Sequence, residues 1–291
     1  MKKYSKAPLP FQGQKRNFIK LFNEQIKKLC GDGSGWTIVD VFGGSGLLSH
    51  NAKYTCRNAR VIYNDYDNYS NRLANISKTE EIRKDLLSLV IDSQKGVKIK
   101  SKTKEKIIQY LNSKQENLDY STLSNYLLFS GGIATSISDF ESRSLYNRVT
   151  VTPLNCDGYL AGVETTHLSF IELMQKKFTG KSLYLLDPPY INTQQGYHKD
   201  TYFGLLDQVK LFELMKPPFI YFTSDKSEIV EMVNNDNCTF SDIFSECEIF
   251  ETKNQVTGAS SYKDFLILKK SYGYCWEGDY ASITQSIQSS S

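Results

Sequence analysis

The chain has 291 residues, 40% of them hydrophobic, with 35 Lys and Arg against 32 Asp and Glu for a formal charge of +3. That is enough apolar material for a sizeable core, which excludes global disorder, and a charge so small means that any nucleic-acid partner is met by a local concentration of cations. The six cysteines, Cys30, Cys56, Cys156, Cys238, Cys247 and Cys275, form no CxxC pair and stand with no histidine cluster, so no metal site is expected.

The amino-terminal "MKKYSKAPLPF" is basic but leads into no apolar run. No later run approaches the roughly 20 apolar residues of a membrane span. The expectation is a soluble protein of the cytoplasm, a reducing compartment that suits scattered cysteines. The first predicted element is a helix over 15–29, where Phe18, Ile19, Phe22, Ile26 and Leu29 recur at helical spacing.

Four short apolar runs then read as strands covered on both faces: "WTIVDVF" (36–42), "ARVIYND" (59–65), "SLYLLD" (182–187) and "FIYFTSD" (219–225). "YKDFLILKK" (262–270) reads as one more. Strands alternating with helical stretches predict an open α/β sheet that binds its ligands outside the carboxyl ends of the strands. From 71 to 148 no buried strand is evident, and this stretch is expected to be a mostly helical insertion.

The first strand runs into "VDVFGGSG" (39–46), where Gly43, Gly44 and Gly46 allow a tight turn and close approach of a ligand; a bare tight turn would read the same way. No GxxxxGK[ST] motif is present, so a phosphate-cradling P-loop is excluded. Asp65, about 20 residues further on, closes the second run where an acid can accept hydrogen bonds from a ribose. Together these suggest an adenosine-containing cofactor across the strand ends.

"DPPY" (187–190) follows the third strand. The ionised Asp187 only accepts hydrogen bonds, and Pro188 contributes a carbonyl, so the two make adjacent acceptors for one amino group. Tyr190 adds a flat face on which a planar base can stack. Two acceptors out of the ring plane favour a pyramidal amine, free its lone pair and stabilise the charge that develops on nitrogen. The bland alternative is a loop with proline punctuation and a capping aspartate.

The set "FGGSG", "YND" and "DPPY" resembles the Dam-like (D12 class) DNA adenine-N6 methyltransferases, and "PLPFQGQK" (8–15) is similar to their amino-terminal motif, with Gln14 where a glycine is usual and without the usual tryptophan. The order of glycine turn, recognition region and DPPY is that family's α arrangement. The resemblance implies a Rossmann-like S-adenosylmethionine-dependent methyltransferase sheet. It implies Asp187, Pro188, Pro189 and Tyr190 as the catalytic set. On the cofactor it implies Pro10, Phe11, Gly13, Lys15, Asp40, Phe42, Gly43, Gly44, Gly46, Asp65 and Asp187, with Asp157 of "LNCDGY" (154–159) reaching the cofactor's adenine. No metal is implied.

The expected organisation is a catalytic domain in two pieces, 1–70 and 149–270, a target-recognition insertion at 71–148 and a frayed tail at 271–291. The expected partner is double-stranded DNA whose target adenine is flipped out of the helix. Lys98, Lys100 and Lys102 of "KGVKIKSKTKEK" (95–106) are candidates for phosphate contacts, or an ordinary solvated loop. Arg143, Tyr146, Asn147 and Arg148 are candidates for base contacts, and Tyr197 lies in a loop expected over the pocket. His198 in that loop reads as a surface residue. Such an enzyme belongs in a bacterial cell or a phage-infected host. The alternatives are cytosine N4 in DNA, adenine in RNA, or a non-catalytic nucleic-acid-binding protein on the same fold; intact DPPY and glycine motifs speak against the last.

Overall fold

The computed structural model describes residues 2–129, 131–191, 203–225, 227, 241–257 and 260–271. A single 3-10 turn (Arg16–Phe18) leads into α1 (Ile19–Cys30), so the expected first helix divides in two. Ile19, Phe22, Ile26 and Cys30 form its buried stripe, and Gly31 ends it at φ +62°.

The strands are β1 (Trp36–Asp40), β2 (Arg60–Asn64), β3 (Glu164–Thr166), β4 (Lys181–Leu186), β5 (Phe219–Ser224), β6 (Glu248–Thr257) and β7 (Ser260–Lys269). They make one sheet in the order β3-β2-β1-β4-β5-β7-β6. The first five are parallel, β7 runs antiparallel to β5, and β6 pairs antiparallel with β7. Chain direction across the sheet reverses between β1 and β4, which is where such sheets open a ligand crevice. This is the Rossmann-like sheet of the S-adenosylmethionine-dependent methyltransferases.

Side-chain alternation explains why both faces are covered. Ile38, Val61, Leu183, Leu185, Ile220 and Phe222 point to one side, where α1 and α2 (Leu47–Thr55) pack. Their neighbours Val39, Ile62, Leu186, Phe219 and Tyr221 point to the other, against α8 (Phe170–Gln175) and α9 (Leu205–Leu214). A strand flanked this way reads as a continuous apolar run. Each fully buried large side chain in these layers stabilises the fold by ~1.5–3 kcal/mol.

Between β2 and β3 lie α3 (Tyr69–Ala74), α4 (Ile76–Leu89), α5 (Ser101–Ser113), α6 (Tyr120–Leu127) and α7 (Ile137–Ser142). Ile82, Leu86, Ile107, Leu111, Leu123, Leu127, Phe140 and Leu145 join in a hydrophobic cluster separate from both sheet layers. Asp119 starts α6 by accepting from the Thr122 amide, and Ser136 with Asp139 forms a capping box on α7. The predicted tail, 271–291, lies outside the described residues apart from its first position.

Candidate active site

Three carboxylates stand at the carboxyl ends of three neighbouring strands: Asp65 after β2, Asp40 ending β1 and Asp187 after β4. Asp40 is fully buried. Its Oδ2 accepts from the Ser49 hydroxyl at 2.5 Å and the Ser49 amide at 3.2 Å, while its Oδ1 is buried without a hydrogen-bond partner. Burial pushes its carboxyl up to about 7 against the pull of Ser49, and the nearby charge of Asp187 adds to the rise.

Asp187, 17% exposed, pairs through Oδ2 with Lys15 Nζ at 2.7 Å. Burial raises its carboxyl above the usual range, and the Lys15 charge partly offsets this. The Lys15 ammonium also donates to the Gly13 carbonyl at 3.0 Å and sits 5.8 Å from the centre of the Tyr190 ring. The Tyr190 hydroxyl bonds the Ser224 side chain at the end of β5, which fixes the ring between two strand ends. Pro188 is buried and Pro189 is half-buried.

The glycine turn is held by protein atoms. A Cβ on Gly43 would stand 2.3 Å from the Tyr63 ring, and one on Gly44, at φ +49°, would stand 2.8 Å from Phe11. The Tyr63 hydroxyl lies 2.6 Å from the Gly44 carbonyl and 2.8 Å from Asp65 Oδ1. Gly46 completes the turn, its amide donating to the Gly43 carbonyl at 2.7 Å. Phe42 stacks on Phe170 at 5.7 Å, and Phe203 meets it edge-on.

Asp65 is held by several protein donors. It is fully buried; Oδ1 accepts from the Tyr69 amide at 2.6 Å, and Oδ2 accepts from the Ser70 amide at 2.8 Å and from the Ser70 hydroxyl. The Tyr63 hydroxyl adds a further contact on Oδ1. The carboxylate thus anchors the start of α3, where unpaired amides need an acceptor.

A strap at 7–15 closes over the turn. Gln14, where the resemblance expects glycine, accepts from the Ala7 amide at 3.0 Å and donates to the Leu9 carbonyl at 3.4 Å, drawing the strap into a loop. Phe11 packs edge-on against Tyr69 at 5.8 Å. Pro10 and Gly13 take part through their backbone, Pro10 as an acceptor for Arg72.

Asp157 lies on an exposed turn upstream of β3, its carboxylate accepting from Asn155 Nδ2 at 2.7 Å. The end of β3 delivers 167–170 to the crevice instead: His167 Nδ1 stands 2.8 Å from the Asp65 carbonyl, and Leu168 exchanges two hydrogen bonds with the Asn64 side chain. The cue in the sequence was the S-x-x-E capping box of Ser169 and Glu172, which marks a helix start just after a strand. Ser49 and Tyr63 carried no motif of their own.

In the insertion, Lys98, Lys100 and Lys102 are exposed; Lys95, also exposed, donates to the carbonyl of Val149, and the half-buried Lys104 donates to those of Glu141 and Arg143. Arg143 is exposed and donates to the Ile133 carbonyl at 2.6 Å, while Arg148 donates to that of Leu128 at 3.1 Å. Tyr146 rests against the exposed Phe129 ring at 5.6 Å. Asn147 is buried, with Nδ2 donating to the Ser93 carbonyl at 2.6 Å and Oδ1 without a hydrogen-bond partner among the described residues. Tyr197 and His198 lie outside the described residues. Among the described residues no group of histidine, cysteine and acidic side chains could hold a metal ion, and no helix is long and apolar enough to cross a membrane.

One consequence is a pH dependence. The folded Asp40 carboxyl titrates near 7, above the ~3.9 of an unfolded aspartate, so its contribution to stability is present below ~4 and lost as pH rises toward 7. Asp40→Asn keeps the acceptor for Ser49 and removes the titration. Its melting temperature relative to the native protein is therefore expected to climb between pH 5 and 8. Parallel pH profiles for the two proteins would count against a buried, raised Asp40.

The D12 class N6 adenine-specific DNA methyltransferase family matches residues 11–142. A Haemophilus influenzae protein provisionally named a methyltransferase is 39% identical over 268 residues, covering 90% of each chain. A solved Escherichia coli structure, yhhF, also provisionally named a methyltransferase, aligns over 90% of this chain and 92% of its own at 9% identity with a TM-score of 0.33; the fold rests on the strand order instead.

Proposed function

We propose, for a chain that belongs to the D12 class of N6 adenine-specific DNA methyltransferases, that it transfers a methyl group from S-adenosylmethionine to the N6 amine of a flipped-out adenine in DNA. Methyl transfer itself follows from the family. The choice of donor, nucleic acid and atom is the proposal, and the observation that carries it is the Asp187 site: a raised carboxylate beside Asp40, paired with Lys15 and followed by a Tyr190 ring held by Ser224.

The residues fit a cationic donor. Asp40, buried, and Asp187, largely buried, stand at the ends of the neighbouring strands β1 and β4, and Asp40 Oδ1 has no hydrogen-bond partner among the described residues. Burial penalises the Asp40 charge, while Lys15 already partly offsets that penalty at Asp187, so a ligand bringing an ammonium and a sulfonium relieves it chiefly at Asp40. Asp40, Lys15 and the strap residues Pro10, Phe11 and Gly13 hold the donor beside Gly43, Gly44 and Gly46, with Phe42 and Phe170 as the aromatic end. When bound, S-adenosylmethionine supplies an electrophilic methyl group.

The chain's own work is on the amine. Asp187 and the Pro188 carbonyl accept its two N–H groups, which turns the nitrogen lone pair away from the ring and stabilises the positive charge that grows there. Pro189 stiffens the turn, and Tyr190 stacks on the base to fix its plane. Lys15 holds one oxygen of Asp187 and keeps the carboxylate aimed. Positioning supplies much of the rate, and the methylated amine sheds its extra proton to solvent.

A duplex base reaches this pocket only after flipping. The insertion, 71–148 between the two parts of the catalytic domain, is the proposed reader: Lys98, Lys100 and Lys102 on phosphates, with Arg143, Tyr146 and Arg148 toward bases. The test is incorporation of an isotopically labelled methyl group, offered with unmethylated duplex DNA, single-stranded DNA or RNA. Label is expected in DNA. Label confined to RNA would transfer the reading to an RNA substrate, and no label in any of them would contradict it.

A further inference from the structure

The strap that carries Phe11 and Lys15 is tied to the insertion by one side chain. Arg72, on α3, donates from Nη2 to the Pro10 carbonyl at 2.9 Å and to Asp119 Oδ2 at 3.0 Å, and its Nε lies 3.2 Å from each Asp119 oxygen. The pair is largely sheltered, with the two side chains 20% and 8% exposed. The guanidinium also lies 5.1 Å from the centre of the Tyr69 ring, whose hydroxyl is 2.9 Å from both the amide and the carbonyl of Leu9.

Asp119 in turn caps α6, accepting from the Thr122 amide at 3.2 Å and the Thr122 hydroxyl at 2.7 Å. One planar fork thus joins the strap, α3 and the first turn of α6. Capping needs only an acceptor and explains neither the second partner nor the carbonyl of Pro10. A bidentate guanidinium in a sheltered site holds direction as well as distance, which an ammonium cannot do.

We propose that Arg72 is a positioning residue for the donor site: clamped by Asp119, it fixes the strap at Pro10 and thereby sets where Phe11 meets the glycine turn and where Lys15 meets Asp187. The insertion and the donor site are then mechanically joined, so a change at the α6 cap is felt at the donor. The donor's identity rests on the functional reading above; the latch itself does not.

The decisive variant is Asp119→Asn, which keeps an acceptor for Thr122 and loses the charge that clamps Arg72. Arg72→Lys is the second, keeping the charge and losing the fork. Hydrogen exchange on the free proteins is expected to quicken about tenfold at 7–11 in both, with α6 protection retained in Asp119→Asn. Calorimetric affinity for S-adenosylmethionine is expected to fall about fivefold. Unchanged strap exchange overturns the proposal, as does a quickened strap with unchanged donor affinity. A native protein that binds no S-adenosylmethionine strikes at the functional reading instead, and the exchange arm then decides the latch alone.

Discussion

Replacing Asp187 by alanine is expected to lower turnover by about a thousandfold, the scale seen when a preorganised group facing developing charge is removed. The effect is large because the acceptor cannot be replaced from nearby. Lys15 is a cation, the Tyr190 hydroxyl is engaged with Ser224, and Pro188 has no N–H but only its carbonyl to contribute. Methyl-donor affinity is expected to stay within about threefold, since Asp40 and the strap remain, and a factor of three is under 1 kcal/mol. Titration calorimetry alongside single-turnover rates separates the two. Loss of donor binding as the main effect would move Asp187 from the base amine to the donor.

The second large effect is on the fold. Asp65→Ala leaves the Tyr69 and Ser70 amides and the Ser70 hydroxyl without their acceptor in a largely buried place, and leaves the Tyr63 hydroxyl only the Gly44 carbonyl. Breaking a buried network of this kind costs ~3–5 kcal/mol. For a chain of this size that corresponds to a drop in melting temperature of about 10 °C. Donor affinity falls too, but as a consequence, because Tyr69 and Tyr63 also hold Leu9 and the Gly44 carbonyl. A variant that melts with the native protein yet binds the donor poorly would return Asp65 to the ribose role.

That contrast shows where sequence reading succeeds and where it stops. β1, β2, β4 and β5 were legible because burial on two faces makes the centre of each run continuously apolar, with polar residues gathered at its ends. DPPY was legible because acceptor, carbonyl and ring are consecutive. The Lys15–Asp187 pair spans most of the chain, so only the folded arrangement reveals it. β3 escaped because its three residues, the exposed Glu164 and Thr165 and the half-buried Thr166, carry no apolar signal. β6 escaped because an edge strand pairs through its backbone and tolerates a polar sequence.

Residue roles were harder than elements. Asp65 and Asn147 both look available in a one-dimensional reading, since a carboxylate after a strand and an amide between cations are good ligand groups. Both are engaged within the fold, Asp65 through both oxygens by Tyr69 and Ser70 and Asn147 through its Nδ2 by the Ser93 carbonyl. Asp157 is placed by the fold on an exposed turn before β3, a position that its motif did not reveal. Gln14 shows the reverse, a departure from a family pattern that the fold absorbs by closing its own loop.

The most direct measurement digests the product. Native protein and Asp187→Ala are each incubated with unmethylated duplex DNA and S-adenosylmethionine, and the DNA is reduced to nucleosides for mass spectrometry. The account predicts N6-methyldeoxyadenosine from the native protein and almost none from the variant. N4-methyldeoxycytidine, or N6-methyldeoxyadenosine made equally well without Asp187, would contradict it.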